Sequence, residues 1–380
     1  MTIAHPNVAT LVDQLDLEEN LPDVCRSAFL AVRREEFVPR QAWARDDEAG
    51  EYVPIDRDAD PARWFAAVYS DRPIVTQYDE GETRWPKVGQ TPTCSASQPS
   101  AVAGMLAELD PQPGEHVCEI GTGTGWNAAL IAHMVGASGG VTSVEVDSEV
   151  ANAARVNLSA AEAGNVRVVN ADAITFLPPA GVDRIIATAA VQSGELPYGW
   201  VQSTRPGGVI VAPMRTHLSS GPVVRFIVAD DGSAAGRASE RLQVGFMQLR
   251  AQRVRGAIPG LLWDDPTADV TYTEVEPWPV LGELNSRWAV AMALPRCVYD
   301  LWEKTDERRG VAWLRDQLSG SWASVSPHED RFIVRQSGPR RLWDVAEAAY
   351  GWWVSQGEPP LGNWLWKVEP DRQTVLLQPR

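Results

Sequence analysis

Between Glu115 and Met214, short apolar runs alternate with stretches of helical period, and this alternation constrains the fold more than any other feature of the chain. Strands are expected at His116–Ile120, Gly140–Val146, Val166–Asn170, Val182–Thr188 and Gly208–Met214. Helices are expected at Trp126–Met134 and Ser148–Ala163. Each helix can carry the chain back, right-handed, to start the next strand parallel to the last. The predicted fold class is therefore α/β, a doubly wound, Rossmann-like sheet.

The segment Glu119-Ile120-Gly121-Thr122-Gly123-Thr124-Gly125-Trp126 lies where the first strand meets the first helix. Three alternate glycines allow a sharp turn and a close approach of backbone to ligand. A dinucleotide fingerprint would need its third glycine at position 126, which is Trp126. The E-x-G-x-G-x-G form is instead similar to the cofactor loop of class I methyltransferases. That resemblance implies S-adenosylmethionine, whose amino-acid moiety gives an acid such as Glu119 a role beside an ammonium group. Glu145 ends the second strand, where an acid can accept ribose hydroxyls, with Val146 and the alternative acid Asp147 next to it. Asp172 and Ala173 follow the third strand, within reach of an adenine amino group. The expected cofactor set is Glu119, Gly121, Thr122, Gly123, Gly125, Glu145, Val146, Asp172, Ala173 and Gln98.

From residue 24 to about 250 the chain resembles the protein-L-isoaspartate O-methyltransferases. Ala28-Phe29 through Arg33-Arg34-Glu35-Glu36-Phe37-Val38-Pro39 is similar to that family's "PRE-FVP" segment, and Tyr69-Ser70-Asp71-Arg72-Pro73 to its "YADRP" turn. Gly89-Gln90-Thr91 and Ser97-Gln98-Pro99 resemble the two halves of its "GQTISQP" substrate loop. Thr188-Ala189-Ala190, Arg205-Pro206-Gly207-Gly208 and Val211-Ala212-Pro213 continue the likeness in order. The resemblance implies esterification of a side-chain carboxylate on a peptide. Such a carboxylate, with a pKa of about 4, is already ionised at neutral pH, so no general base is needed. The enzyme must hold the oxygen in line with the methyl donor and supply hydrogen bonds to the buried charge. Ser97 matches the family's loop serine and is the first catalytic candidate, joined by Thr93 and Ser95; alternatively, Ser97 caps the helix that Pro99 opens. Thr91, Arg215 and His217 are the expected substrate-binding residues.

Two features depart from the short repair enzymes. The loop from Gly89 to Pro99 is about four residues longer and adds the hydroxyls of Thr93 and Ser95. After Arg255 the composition also shifts, with eleven of the 16 Trp between Trp263 and Trp366. Both resemble a divergent branch that acts on ribosomally made, modified peptides such as lanthipeptides and graspetides. There an ordinary Asp in a cyclised precursor is methylated, and the ester collapses to aspartimide or isoaspartate. The expected partner is thus a precursor peptide; isoaspartate repair is the alternative, and a non-catalytic peptide-binding scaffold or a small-molecule or RNA methyltransferase are rivals of other kinds.

At 380 residues, two domains are expected. One is a methyltransferase domain, 1–254, with a helical part at 1–43 and an acidic, irregular insertion at about 45–63. The other, 255–380, is an α+β domain with a helix at Arg340–Trp353 and strands at Val270–Val280, Trp288–Leu294, Arg331–Gln336 and Trp364–Gln378, proposed to hold the peptide. Its Trp faces read either as core or as an exposed platform. A formal charge of -16 argues against nucleic acid as a partner. No run nears the roughly 18 apolar residues of a membrane span, and no signal peptide is visible, so a cytoplasmic monomer is expected. Cys25, Cys94, Cys118 and Cys297 are scattered, which suggests four thiols and no metal site.

Overall fold

The computed structural model describes residues 7–46, 48, 50–253, 265–302 and 310–378. The expected boundary at Val254–Arg255, along with Trp263 and Asp47, falls outside them. Helix α1 (Val8–Leu17) starts at Asn7, whose side chain accepts from the N–H groups of Ala9 and Thr10 at 2.9 and 3.3 Å. It buries Leu11, Val12 and Leu15, and α2 (Asp23–Ala31) adds Cys25, Ala28 and Phe29. The helical expectation for 1–43 fails at its end, where β1 (Gln41–Arg45) pairs antiparallel with β2 (Tyr52–Asp56). The acidic stretch is thus a hairpin followed by α3 (Pro61–Val68) rather than an irregular loop. Tyr52, Val53 and Ile55 favour a strand, and Ile55 and Trp43 are buried while most of the acids face water. Strands β3 (Ile74–Tyr78) and β4 (Pro92–Ala96) complete a four-stranded sheet ordered β2-β1-β3-β4, so the lengthened loop contributes a strand of its own.

Helix α4 (Pro99–Leu109) leads into the doubly wound unit: β5 (His116–Ile120), α5 (Trp126–Val135), β6 (Gly140–Glu145), α6 (Ser148–Ala160), β7 (Val166–Asn170), β8 (Val182–Ala187), the short β9 (Val191–Gln192), α7 (Tyr198–Ser203) and β10 (Thr204–Arg215). Strands β7-β6-β5-β8-β10 run parallel. The order reverses at β5, with β6 and β7 to one side and β8 and β10 to the other, which opens a crevice at the carboxyl end of β5. This is the doubly wound, Rossmann-like sheet that the alternating pattern indicated. Two antiparallel strands then follow, β11 (Ser220–Val228) and β12 (Ala234–Gln243). Alternate residues of the central strands feed opposite core layers: Val117, Ile186, Val209 and Val211 on one face, Cys118, Ile120, Ile185 and Ile210 on the other.

The C-terminal part holds β13 (Asp269–Thr273), α8 (Pro277–Leu281), α9 (Leu284–Ala293), β14 (Cys297–Trp302), β15 (Val311–Asp316), β16 (Trp322–His328), β17 (Arg331–Ser337), α10 (Leu342–Ser355), β18 (Trp364–Val368) and β19 (Gln373–Leu377). Five of these strands form an antiparallel sheet, β13-β17-β16-β15-β14. Trp288–Leu294 lies in and just after helix α9 and is not the expected strand. An apolar run reads alike in both periods, and its three alanines and its packing on both sides favour a helix. Likewise the strand expected at Val270–Val280 stops at Thr273, and Pro277 opens a short helix. Trp364–Gln378 is a hairpin, and β18 pairs with β12, extending the large sheet.

Most described Trp side chains here are core: Trp288, Trp313, Trp322, Trp343, Trp353, Trp364 and Trp366 are buried. Trp288 meets Trp366 with ring centroids 5.9 Å apart. It lies over β11 where Gly221 leaves room, since a Cβ there would stand 2.5 Å from the indole. Among the described residues, no helix is long and apolar enough to cross a membrane.

Candidate active site

The crevice at the reversal of strand order is a cavity of about 720 Å³. Its floor is the glycine turn, residues 121–124, and its side the ends of β6 and β7. Residues Thr93, Cys94, Ser95, Ser97 and Gln98, in and after β4, make the opposite wall, and residues 242–250 contribute a further one. Floor and opposite wall approach closely: a Cβ on Gly123 would stand 3.5 Å from the Ser95 carbonyl oxygen and 3.9 Å from Cys94 Sγ. Gly121 is held at φ +95°, and a Cβ there would come within 2.7 Å of Thr188 Oγ1. Position 121 is therefore closed to a side chain on both counts.

The acids divide by strand face. Glu145, at the end of β6, lines the cavity, and its carboxylate accepts from the N–H groups of Gly123 and Asp147 at 3.0 Å each. Burial raises its pKa above the usual carboxylate range, against the pull of those two donors. Asp172, Ala173 and Val146 line the same cavity. Asp147 caps α6 through the N–H groups of Glu149 and Val150 at 3.0 and 3.2 Å. Glu119 differs from the expectation: the two-residue alternation of β5 turns it beneath the turn, fully buried and off the cavity lining. There it accepts from Asn127 Nδ2 at 2.7 Å and from Ser143 Oγ, whose oxygen lies 2.6 Å from Thr122 Oγ1. Burial pushes its carboxyl up to about 7, opposed by the Ser143 and Asn127 donors. Gly125, at the N-cap of α5, also lies behind the lining.

On the opposite wall Ser97 faces the cavity, and its hydroxyl and that of Ser95 have no hydrogen-bond partner among the described residues. Ser97 does not cap α4: the N-cap is Gln98, without a side-chain cap bond. Gln98 donates to Asp71 Oδ2 at 3.1 Å and to Ser100 Oγ at 3.0 Å. Thr93 donates to Gln77 Oε1 at 2.8 Å and accepts from the Glu80 N–H at 3.1 Å, so its hydroxyl is already used. Thr91 is exposed and off the cavity, its N–H bonded to Asp79 at 2.8 Å.

Arg215, the last residue of β10, and His217, just beyond it, do not line the cavity. Arg215 is half-buried, and burial and Arg253 hold its pKa below the usual value. His217 Nδ1 lies 3.3 Å from the Pro295 oxygen, and burial, Arg215 and Arg296 lower its pKa. The sequence did not disclose a polar cluster on the cavity lining, which includes Gln77, Asp147, Arg250 and Arg253. Asp147 is reached by Gln77 Nε2 at 3.3 Å and Arg250 Nη2 at 3.2 Å, and Glu80 by Arg253 at 3.1 Å. Burial works against the Asp147 carboxylate, but these donors and the Val150 N–H outweigh it and hold its pKa below the usual range.

Comparison with known proteins agrees with this geometry. The family model "Protein-L-isoaspartate(D-aspartate) O-methyltransferase" matches residues 54–252. The protein-L-isoaspartate O-methyltransferase of Pyrococcus horikoshii is 39% identical over 138 residues, 36% of this chain and 61% of that protein. The one from Aeropyrum pernix is 34% identical over 193 residues, 50% and 66% of the respective chains. The chain thus spans less than two thirds of the length of these relatives. A solved protein-L-isoaspartate O-methyltransferase superimposes with a TM-score of 0.55 at 20% identity, covering 98% of this chain and 99% of the other. At that identity the likeness is one of fold. Because it takes in the C-terminal part, a fold extended in this way also occurs under the family's own name. With a family model that covers more than half of the sequence, the chain belongs to the protein-L-isoaspartate(D-aspartate) O-methyltransferase family.

Proposed function

We propose that the protein transfers a methyl group from S-adenosylmethionine to the side-chain carboxylate of an aspartyl-type residue in a peptide. The observation that carries this reading is the single cavity joining the glycine turn and the strand-end acids to the unengaged hydroxyl of Ser97. The residues present fit the cofactor: position 121 has no room for a side chain, and Glu145 and Asp172 both line the cavity, which supports Glu145 as the partner of ribose hydroxyls and Asp172 as that of the adenine amino group. When bound, the cofactor supplies a methyl group on a positively charged sulfur. Glu119 supports the turn from below, through Asn127 and Ser143, rather than facing the ligand.

Ser97 donates a hydrogen bond to one carboxylate oxygen and orients the other, with Ser95 next to it on the same wall. No proton has to be removed, because the acceptor is ionised at neutral pH. Arg215 and Arg253 form a cationic margin that attracts the acceptor, although Arg215 stands back from the cavity itself.

For the acceptor, the favoured reading is an Asp in a cyclised ribosomal precursor, whose ester closes to aspartimide. Its support is the long loop, which builds β4 and lines the wall with additional hydroxyls. The second reading, isoaspartate repair, is supported by the family match. The test offers the protein S-adenosylmethionine with an isoaspartyl peptide and, separately, a constrained Asp-containing peptide. Mass gain of one methyl followed by loss of methanol on the constrained peptide alone supports the first reading, and gain on isoaspartate alone supports the second. Ser97→Ala should slow transfer about 10- to 100-fold, the worth of a hydrogen bond to a charge, while cofactor binding stays unchanged. Equal rates would remove Ser97 from the site.

A further inference from the structure

Arg34 is almost fully buried, at 1% exposure, in a short 3-10 turn after α2. Its guanidinium donates to no carboxylate among the described residues. It donates instead to five backbone carbonyl oxygens: Nη1 to Val68 at 2.7 Å and Ser70 at 3.2 Å, Nη2 to Arg72 at 2.9 Å, Ala96 at 3.1 Å and Ser97 at 2.8 Å. The guanidinium carbon also stands 5.3 Å from the ring centroid of Trp126, the first residue of α5 after the glycine turn. Trp126 in turn donates its indole N–H to the Val32 carbonyl at 3.3 Å. Burial draws the guanidinium down to about 9, which leaves it charged at neutral pH.

A buried cation is costly, and a core position with this shape is filled more cheaply by an apolar side chain. What the guanidinium provides, and an apolar group would not, is a planar fork of donors that fixes separate backbone segments at once. The segments it joins are the two walls of the cavity: the carbonyls of Ala96 and Ser97 on one side, the first residue of the helix behind the glycine turn on the other. We infer that Arg34 is a positioning residue, which sets the distance between the Ser97 hydroxyl and the cofactor turn and thereby aligns the carboxylate with the methyl donor. This inference rests on the methyl-transfer reading given above. It adds a residue that contacts neither ligand.

The test compares wild type with Arg34→Lys and Arg34→Ala by three measurements. S-adenosylmethionine titration calorimetry counts competent sites, peptide methylation at saturating cofactor is expressed per competent site, and amide hydrogen exchange is followed at residues 95–98 and 121–125. The Ala variant is expected to lose about tenfold or more in kcat per site, the scale of an ångström-sized misplacement, with little change in cofactor affinity. Lys, which can donate to fewer carbonyls, should fall between, and added guanidinium ion should restore part of the Ala variant's rate. Exchange should quicken at 95–98 and not at 121–125. Unchanged kcat per competent site, or equal losses in cofactor affinity and kcat, would overturn the inference and leave Arg34 a stabilising residue only. If wild type methylates neither peptide, the functional reading fails on its own, and exchange still decides whether Arg34 holds the wall: unchanged exchange at 95–98 refutes it.

Discussion

Glu119→Gln tests whether the acid beneath the glycine turn carries an electrostatic cost. Glu119 is 0% exposed, and its carboxyl titrates at about 7 rather than at 4.5. At about 1.36 kcal/mol for each tenfold change in proton affinity, this is about 3 kcal/mol in favour of the neutral form. A folded-state pKa above the unfolded one means that the folded protein binds the proton more tightly. Stability contributed by the protonated acid is therefore complete below about pH 4.5 and is lost as pH rises to about 7. Glutamine is close to the neutral acid in shape and cannot ionise. The variant should thus gain on wild type as pH rises, by about 2 kcal/mol between pH 5.5 and 8.5, a range that begins above the isoelectric point of 4.8. Glu145 is present in both proteins, so its own raised pKa cancels from the difference to first order. Urea unfolding followed by tryptophan fluorescence and by circular dichroism, at half-unit pH intervals, measures it. Curves that stay parallel over the whole range would refute the reasoning, because they would mean that Glu119 titrates alike in the folded and unfolded chain.

Gly121→Ala puts a Cβ at φ +95° and 2.7 Å from Thr188 Oγ1; a loss of about 1–3 kcal/mol and a weakened affinity for S-adenosylmethionine are expected, read by thermal denaturation and calorimetry, and an unaffected affinity would contradict the close-approach role of the turn. Arg250→Ala removes the Arg250–Asp147 contact on the cavity lining and should speed cofactor release in stopped-flow fluorescence; an unaltered dissociation rate would mean that this contact does not retain the ligand. Trp366→Ala deletes a ring that is 2% exposed and its hydrogen bond to Ser193 Oγ at 3.0 Å, which should cost about 3–5 kcal/mol in denaturant unfolding; a loss below about 1 kcal/mol would show that the large sheet does not depend on this contact.

The central sheet was legible because each strand is an apolar run bounded by turn residues, and three acids at successive strand ends are a pattern that solvated loops rarely make. The same alternation, followed one step further, would have turned Glu119 to the face covered by α5 and away from the ligand. The β1–β2 hairpin was hidden because acids surround Ile55 and mask the apolar side of β2. The run Trp288–Leu294 was ambiguous because a segment packed on both sides has no polar face to reveal its period. Ser97 was found through family resemblance, since a serine two residues before a proline reads equally well as a helix cap. Arg34 had no signal of its own: inside Arg33-Arg34-Glu35-Glu36 it looks like one more solvated charge, and only the fold shows its five carbonyl acceptors.

The pairing of β18 with β12 has a consequence for how the molecule comes to exist. The strand that covers β12 lies more than 120 residues downstream of it, so during synthesis that edge of the large sheet stays open until residues 364–368 have been made. A polypeptide ending near residue 254 would keep the whole glycine turn but bare the backbone of β12 and leave Ser193 without the Trp366 indole. Such a fragment should add strands from its own copies, and association in place of a lone folded monomer is its expected fate.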